Sequence, residues 1–236
     1  MSNQDAEIKW AAGNVDRHSD ESRIRNLLAS PESVGSKLVS LITELNQKAV
    51  HSYGLRGEYR LPIVEHKWQV LDQMVARRKT ELNDAGVFVF VGGSLLYQDP
   101  SDNPDYDVVL FSFSQNAQAL NLGVRIESDL YDLDSEVRIV DVVPVNLESL
   151  TVLTDAWQKG EVGKDHMCRG DLHYLNHVLT GFPVFVPSRY SQGITDDLRT
   201  HIICDYYSKS PVLGAAAVVD LENVIRVRKQ KAARKL

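Results

Sequence analysis

Cysteine is scarce in this chain: only Cys168 and Cys204 occur. No disulfide framework is implied, and a reducing, cytoplasmic setting is the expectation. Long apolar runs are missing too, since nothing approaches the roughly 18 residues that a membrane-spanning helix requires. Met1 to Asp20 is polar and of mixed charge, without the apolar stretch of a secretory leader, so no membrane role is expected. Positive charge is also in short supply. A formal net charge of −6 argues against a surface built mainly to coat nucleic acid, though it leaves room for a local basic groove. A glycine–lysine–serine/threonine phosphate loop is absent. Leu96 stands where a hydrolase nucleophile elbow would need its second glycine after Gly92-Gly93-Ser94.

What remains is ordinary for a globular protein. Hydrophobic residues make up 43% and charged residues 25% of 236, enough for one large domain or two small ones. The first twenty residues are polar and expected to be loosely ordered. Val34, Leu38, Leu41, Ile42, Leu45 and Ala49 recur at helical spacing over 33–53, and Gly54, Gly57 and Pro62 break that pattern. A second amphipathic helix is predicted over 64–82, with Trp68, Leu71, Met74 and Val75 on its stripe and a stop at Asn83 to Gly86.

The pattern then turns to β. Val87 to Val91 reads as a strand covered on both faces, and 98–104 as a turn-rich loop. Strands are predicted over 106–113 and 136–145, with a helix at 116–123 and an extra strand at 125–130. Helices are expected at 147–157, at 165–179 (stopped by Gly181 and Pro183), at 196–207 and at 212–227 from Pro211. The layout is a helical N-terminal extension (1–83), a compact α/β core (84–146) and a helical C-terminal domain (147–236).

Chemistry concentrates in that core. Gly92 and Gly93 let the backbone turn sharply off a strand and approach a bulky anion, while Ser94 adds a hydroxyl donor and an expected helix start. Asp105 and Asp107 are two apart, so on a strand both side chains leave the same face. Asp141 lies inside an apolar β-like run, Val137 to Val145, where an unpaired acid is costly. Three converging acids repel each other unless a cation neutralises them, which two magnesium ions about 4 Å apart would do.

The order Gly92-Gly93-Ser94, then Asp105-x-Asp107 followed by apolar residues, then a distant strand aspartate, resembles the nucleotidyltransferase superfamily of the DNA polymerase β type. The resemblance spans roughly residues 86–145. It implies an α+β fold with a short mixed sheet, and a magnesium-dependent transferase. Such an enzyme moves a nucleoside monophosphate from a nucleoside triphosphate such as ATP to an acceptor and releases pyrophosphate. Asp105 and Asp107 would bind two magnesium ions, with manganese as a substitute. Asp141 would share one of them and orient or deprotonate the acceptor hydroxyl, and Gly92, Gly93 and Ser94 would hold the triphosphate. The acceptor, whether a small molecule, an RNA end or a protein side chain, stays open, as does the oligomeric state.

Leu95 to Pro104 holds no Arg or Lys, where many relatives place a base near the phosphates. Lys37, Lys67, Arg138 or the later helices are the expected sources of that charge. The rival reading is a non-catalytic binding module of the same fold, such as half of a toxin–antitoxin pair. Zinc is raised by His173 and His177, one helical turn apart, with His166 and Cys168 nearby. Tyr174, Leu175 and Asn176 between them lack a metalloprotease glutamate, so exposed helix histidines are expected. Arg226, Arg228, Lys229, Lys231, Arg234 and Lys235 form a basic tail, expected as a solvated helix, with an RNA or acidic-partner contact as the alternative.

Overall fold

The computed structural model describes residues 3–14, 21–30, 32–54, 62–96, 105–114, 117–148, 151–152, 155, 171–191 and 193–233. The helices are α1 (Asn3–Asn14), α2 (Glu21–Leu28), α3 (Glu32–Gly54), α4 (Pro62–Ala85), α5 (Gly93–Leu96), α6 (Ala117–Leu133), α7 (Asp171–Thr180), α8 (Ile194–His201) and α9 (Pro211–Ala233), with a π-helix at Ile202–Tyr207. The strands are β1 (Phe88–Val91), β2 (Tyr106–Ser112), β3 (Val140–Asn146) and β4 (Phe182–Phe185), in the order β3-β2-β1-β4. β2 and β3 run parallel, and both other pairings are antiparallel. The fold is α+β, as the sequence led one to expect.

Two compact units divide the chain. One comprises Leu45–Leu147 and His177–Ile194, the other Met1–Glu44, Glu148–Asn176 and Thr195–Leu236. In the first, the sheet unit, α4 begins at Pro62, whose missing N–H costs nothing in a first turn. It ends at Gly86, where φ is +65°. There the Gly86 N–H donates to the Asn83 carbonyl (3.1 Å) and the Val87 N–H to the Leu82 carbonyl (3.0 Å), closing the helix and turning the chain into β1.

Because strand side chains alternate, the sheet has two distinct faces. Val89, Val91, Tyr106, Val108, Leu110 and Val140 pack against α4 and α6, through Val64, Trp68, Leu71, Leu122, Ile126 and Leu130. The other face carries Phe88, Phe90, Asp107, Val109, Phe111 and Asp141. The parallel β2–β3 pair needs a crossover, which α6 supplies.

The second unit is helical. Val212 to Leu221 of α9 are buried at every position, as fits a helix surrounded by others. α9 packs on α1, α2 and the π-helix. Asp220, 1% exposed, accepts from the Asn176 amide (2.7 Å) and faces His173 Nδ1 (3.0 Å). The Tyr207 hydroxyl donates to the Asn176 carbonyl oxygen (2.9 Å). Burial, with the Asp220 charge, holds that phenol well above its usual pKa.

Four expectations need correction. Residues 125–130 lie inside α6, where Leu122, Ile126 and Leu130 recur every fourth position on the buried side. Asn3–Asn14 is helical, although the polar N-terminus read as loosely ordered. Ile194–Tyr207 is an α-helix that continues as a π-helix. The break at Gly181 and Pro183 introduces the edge strand β4, where proline is tolerated. Residues 147–148, 151–152 and 155 are helical as expected; the 98–104 loop, His166 and Cys168 lie outside the described residues. Among the described residues, no helix is long and apolar enough to cross a membrane.

Candidate functional site

The glycine-rich turn sits at the end of β1 and is tied to β2. The Gly92 N–H donates to the Asp107 carbonyl at 2.8 Å, which carries the β1–β2 ladder one residue past Val91. Gly93 has φ +63°, and a β-carbon there would fall on Oδ2 of Asp107, so only glycine fits. The Asp107 carboxylate therefore lies directly against the turn. α5 begins at Gly93, not Ser94, and is a single turn, so it offers amide donors and little dipole. Leu95 and Leu96, fully buried, pin the turn into the core, while Ser94 stays half-buried.

Asp107 and Asp141 are register partners across the parallel ladder. Partner Cα atoms on adjacent strands stand about 4.8 Å apart, and paired side chains share a face. Both acids are half-buried, on the face turned away from α4 and α6. Asp105, also half-buried, immediately precedes β2. Further along the same face, Phe88 meets Tyr190 at a tilt (4.9 Å between ring centres) and Phe111 (6.1 Å) and Phe113 (5.8 Å) edge-on. The face is thus apolar at one end and carboxylate-bearing at the other.

Tyr106, between the two β2-side acids, points to the opposite face and is fully buried. Its hydroxyl donates to Asp134 Oδ2 at 3.0 Å, and the Lys67 ammonium donates to the same oxygen at 2.8 Å while lying 4.4 Å above the Tyr106 ring. Burial, then the Asp134 charge, drives the Tyr106 phenol far above its usual pKa, so the hydroxyl keeps its proton. Burial alone would raise the Asp134 carboxyl. Hydrogen bonds from Lys67, Tyr106 and the Glu136 amide outweigh it and hold Asp134 below the usual carboxylate range.

Lys67 is therefore corrected as a source of phosphate-binding charge: it is fully buried, committed to Asp134, and on the wrong face. Lys37 lies in the helical unit, 3.8 Å from Glu222, and Arg138 is exposed just ahead of β3.

The histidine pair also departs from expectation. His173 faces Asp220, whereas His177 is buried, with its ring against Gly92. Sequence reasoning missed His177 as a neighbour of the turn. The usable signal was its place one turn before the Gly181 stop, which commits the end of α7 to whatever strand follows.

Carboxylate oxygens suit a hard cation. Magnesium at nucleotides is commonly held by one or two carboxylates together with phosphate and water, which the Asp107–Asp141 pair can provide. Among the described residues, no three His, Cys, Asp or Glu side chains gather closely enough to hold an ion alone. The chain matches no protein-family model, no curated protein and no solved structure.

Proposed function

We propose that this chain is a nucleotidyltransferase of the DNA polymerase β type, moving a nucleoside monophosphate from a nucleoside triphosphate to an acceptor hydroxyl. The observation that carries the reading is the pairing of Asp107 with Asp141, with the Asp107 carboxylate laid against Gly93 of the turn. A turn that admits no β-carbon, beside two acids on one face, is a place to bring polyphosphate and divalent metal together.

Asp105, Asp107 and Asp141 would hold magnesium or manganese, which neutralises charge on the phosphoryl oxygens when bound. The glycine backbone of the turn admits the triphosphate, and the Ser94 hydroxyl donates to a phosphate oxygen. Asp141 orients the acceptor hydroxyl and takes its proton. The acceptor oxygen bonds to the α-phosphorus as the bond to the bridging oxygen breaks, and pyrophosphate leaves.

The test is nucleotide titration beside a pyrophosphate-release assay, with magnesium present. Asp107→Asn should weaken nucleotide binding and abolish transfer together. Asp141→Asn should bind nucleotide within a few fold of wild type yet lose about 10²-fold or more in transfer. Unchanged magnesium–nucleotide affinity in Asp107→Asn would sink the site. No stabilisation of the wild type by magnesium with any nucleoside triphosphate would favour the binding-module reading instead.

A further inference from the structure

The face that bears Asp107 and Asp141 also meets a histidine. Gly92 stands opposite Asp107 in the extended ladder, so a row runs across three strands: Gly92, Asp107, Asp141. A β-carbon on Gly92 would land 2.7 Å from Nδ1 and 2.8 Å from Cγ of His177, so the imidazole fills the space that the absent side chain leaves.

His177 is fixed there by the end of α7. The Gly181 N–H donates to the His177 carbonyl at 2.7 Å, Phe182 pairs with Val91, and a β-carbon on Gly181 would meet the Val91 carbonyl at 2.8 Å. Helix end, glycine and edge strand together hold the ring, 7% exposed, over the turn.

We propose that His177 is a phosphate-binding residue of this site, a ring N–H facing the polyphosphate carried on Gly92 to Ser94. The inference rests on the nucleotidyl-transfer reading and adds a side-chain donor to it. Leu95 to Pro104 has no Lys or Arg, Lys67 is committed to Asp134 behind the sheet, Lys37 stands 3.8 Å from Glu222, and Arg138 is exposed just ahead of β3. An imidazole carries at least one ring N–H, which can donate to a phosphate oxygen. A charge-assisted N–H bond to phosphate is about twice as strong as a neutral one. Glycine at 92 thereby acquires a second role, since any larger residue would push the ring off the turn.

The experiment titrates magnesium with ATP, and separately with inorganic tripolyphosphate, against wild type, His177→Gln, Gly92→Ala and the double variant. Ligand-free melting serves as the fold check. His177→Gln should weaken both ligands about tenfold or more, while the ligand-free melting temperature stays within a few degrees. The Gly92→Ala and His177→Gln losses should not add, because both act on one contact.

Undiminished tripolyphosphate affinity in His177→Gln overturns the proposal, as do additive losses in the double variant. If His177→Gln fails to fold, Gly92→Ala decides alone: retained tripolyphosphate affinity there overturns the assignment. A wild type that binds neither ligand defeats the nucleotidyl-transfer reading as well. A wild type that binds both, with His177→Gln its equal, defeats only the role of His177.

Discussion

Replacing Lys67 with methionine removes one charge from a buried pair and keeps most of the side-chain volume. Asp134, 3% exposed, would retain the Tyr106 hydroxyl, the Glu136 amide and, 3.9 Å away, the half-exposed His66 ring. Stranding a buried charge in this way costs about 3–5 kcal/mol, a large share of the roughly 5–15 kcal/mol that typically separates folded from unfolded chains. The pH dependence sharpens the expectation. In the wild type the Asp134 pKa is depressed, so its stabilisation is present above the unfolded carboxylate value, about 3.9, and is lost as pH falls through the folded value. In Lys67→Met, burial goes unopposed by the ammonium and raises that pKa. The penalty is then greatest at neutral pH and is relieved on acidification. Urea denaturation followed by circular dichroism at pH 7 and pH 5 measures both effects, the gap between the two proteins narrowing at the lower pH. Adding Asp134→Asn to the variant should recover at least about 1 kcal/mol by removing the stranded charge. A loss under about 1 kcal/mol at pH 7, or a gap that widens on acidification, would refute the reasoning.

Gly93→Ala should cost about 1–2 kcal/mol from the left-handed backbone alone, and should displace the Asp107 carboxylate on which its β-carbon falls. Melting with and without magnesium–ATP checks this, and a full ligand-induced shift in the variant would count against the site. In the helical unit, Gly214→Ala would put a β-carbon 2.8 Å from the Tyr207 carbonyl, backbone that cannot yield cheaply, and should destabilise by about 1–3 kcal/mol. Gly35→Ala, in α3 and with nothing within 4 Å, should be neutral or gain up to about 1 kcal/mol. Equal effects of these two substitutions in chemical denaturation would refute the steric account.

Long periodic segments were the most readable part of the sequence. α3 and α4 follow apolar stripes, α9 follows a continuous apolar run after Pro211, and β1, β2 and β3 follow β-like apolar runs with limits shifted by a few residues. For Lys67 the helical phase, and not the charge, decides the place of the side chain. It lies three residues after Val64 and four before Leu71, both buried, and shares their side of α4. The strand over Phe182–Phe185 went unread because a glycine and a proline after a helix look like punctuation, and its stability comes from pairing with β1, a partner about ninety residues away. The three aspartates were legible as candidates, but the match of Asp107 to Asp141 was not, because register belongs to two strands at once. The place of His177 against Gly92 was not legible, since the two are brought together by the fold alone.

The strand order also sets a timetable for synthesis. β1 finds one partner quickly, in β2, but its other edge is completed only by β4. At roughly 5–20 residues per second, the interval between making Val91 and making Phe182 is on the order of ten seconds. Throughout it, a wholly apolar Phe-Val-Phe-Val edge stands open on the nascent chain, the kind of surface that recruits foreign strands. Chains released before Phe185 would keep that edge permanently. Truncations that stop after β3 should therefore collect in the insoluble fraction to a greater extent than full-length chains.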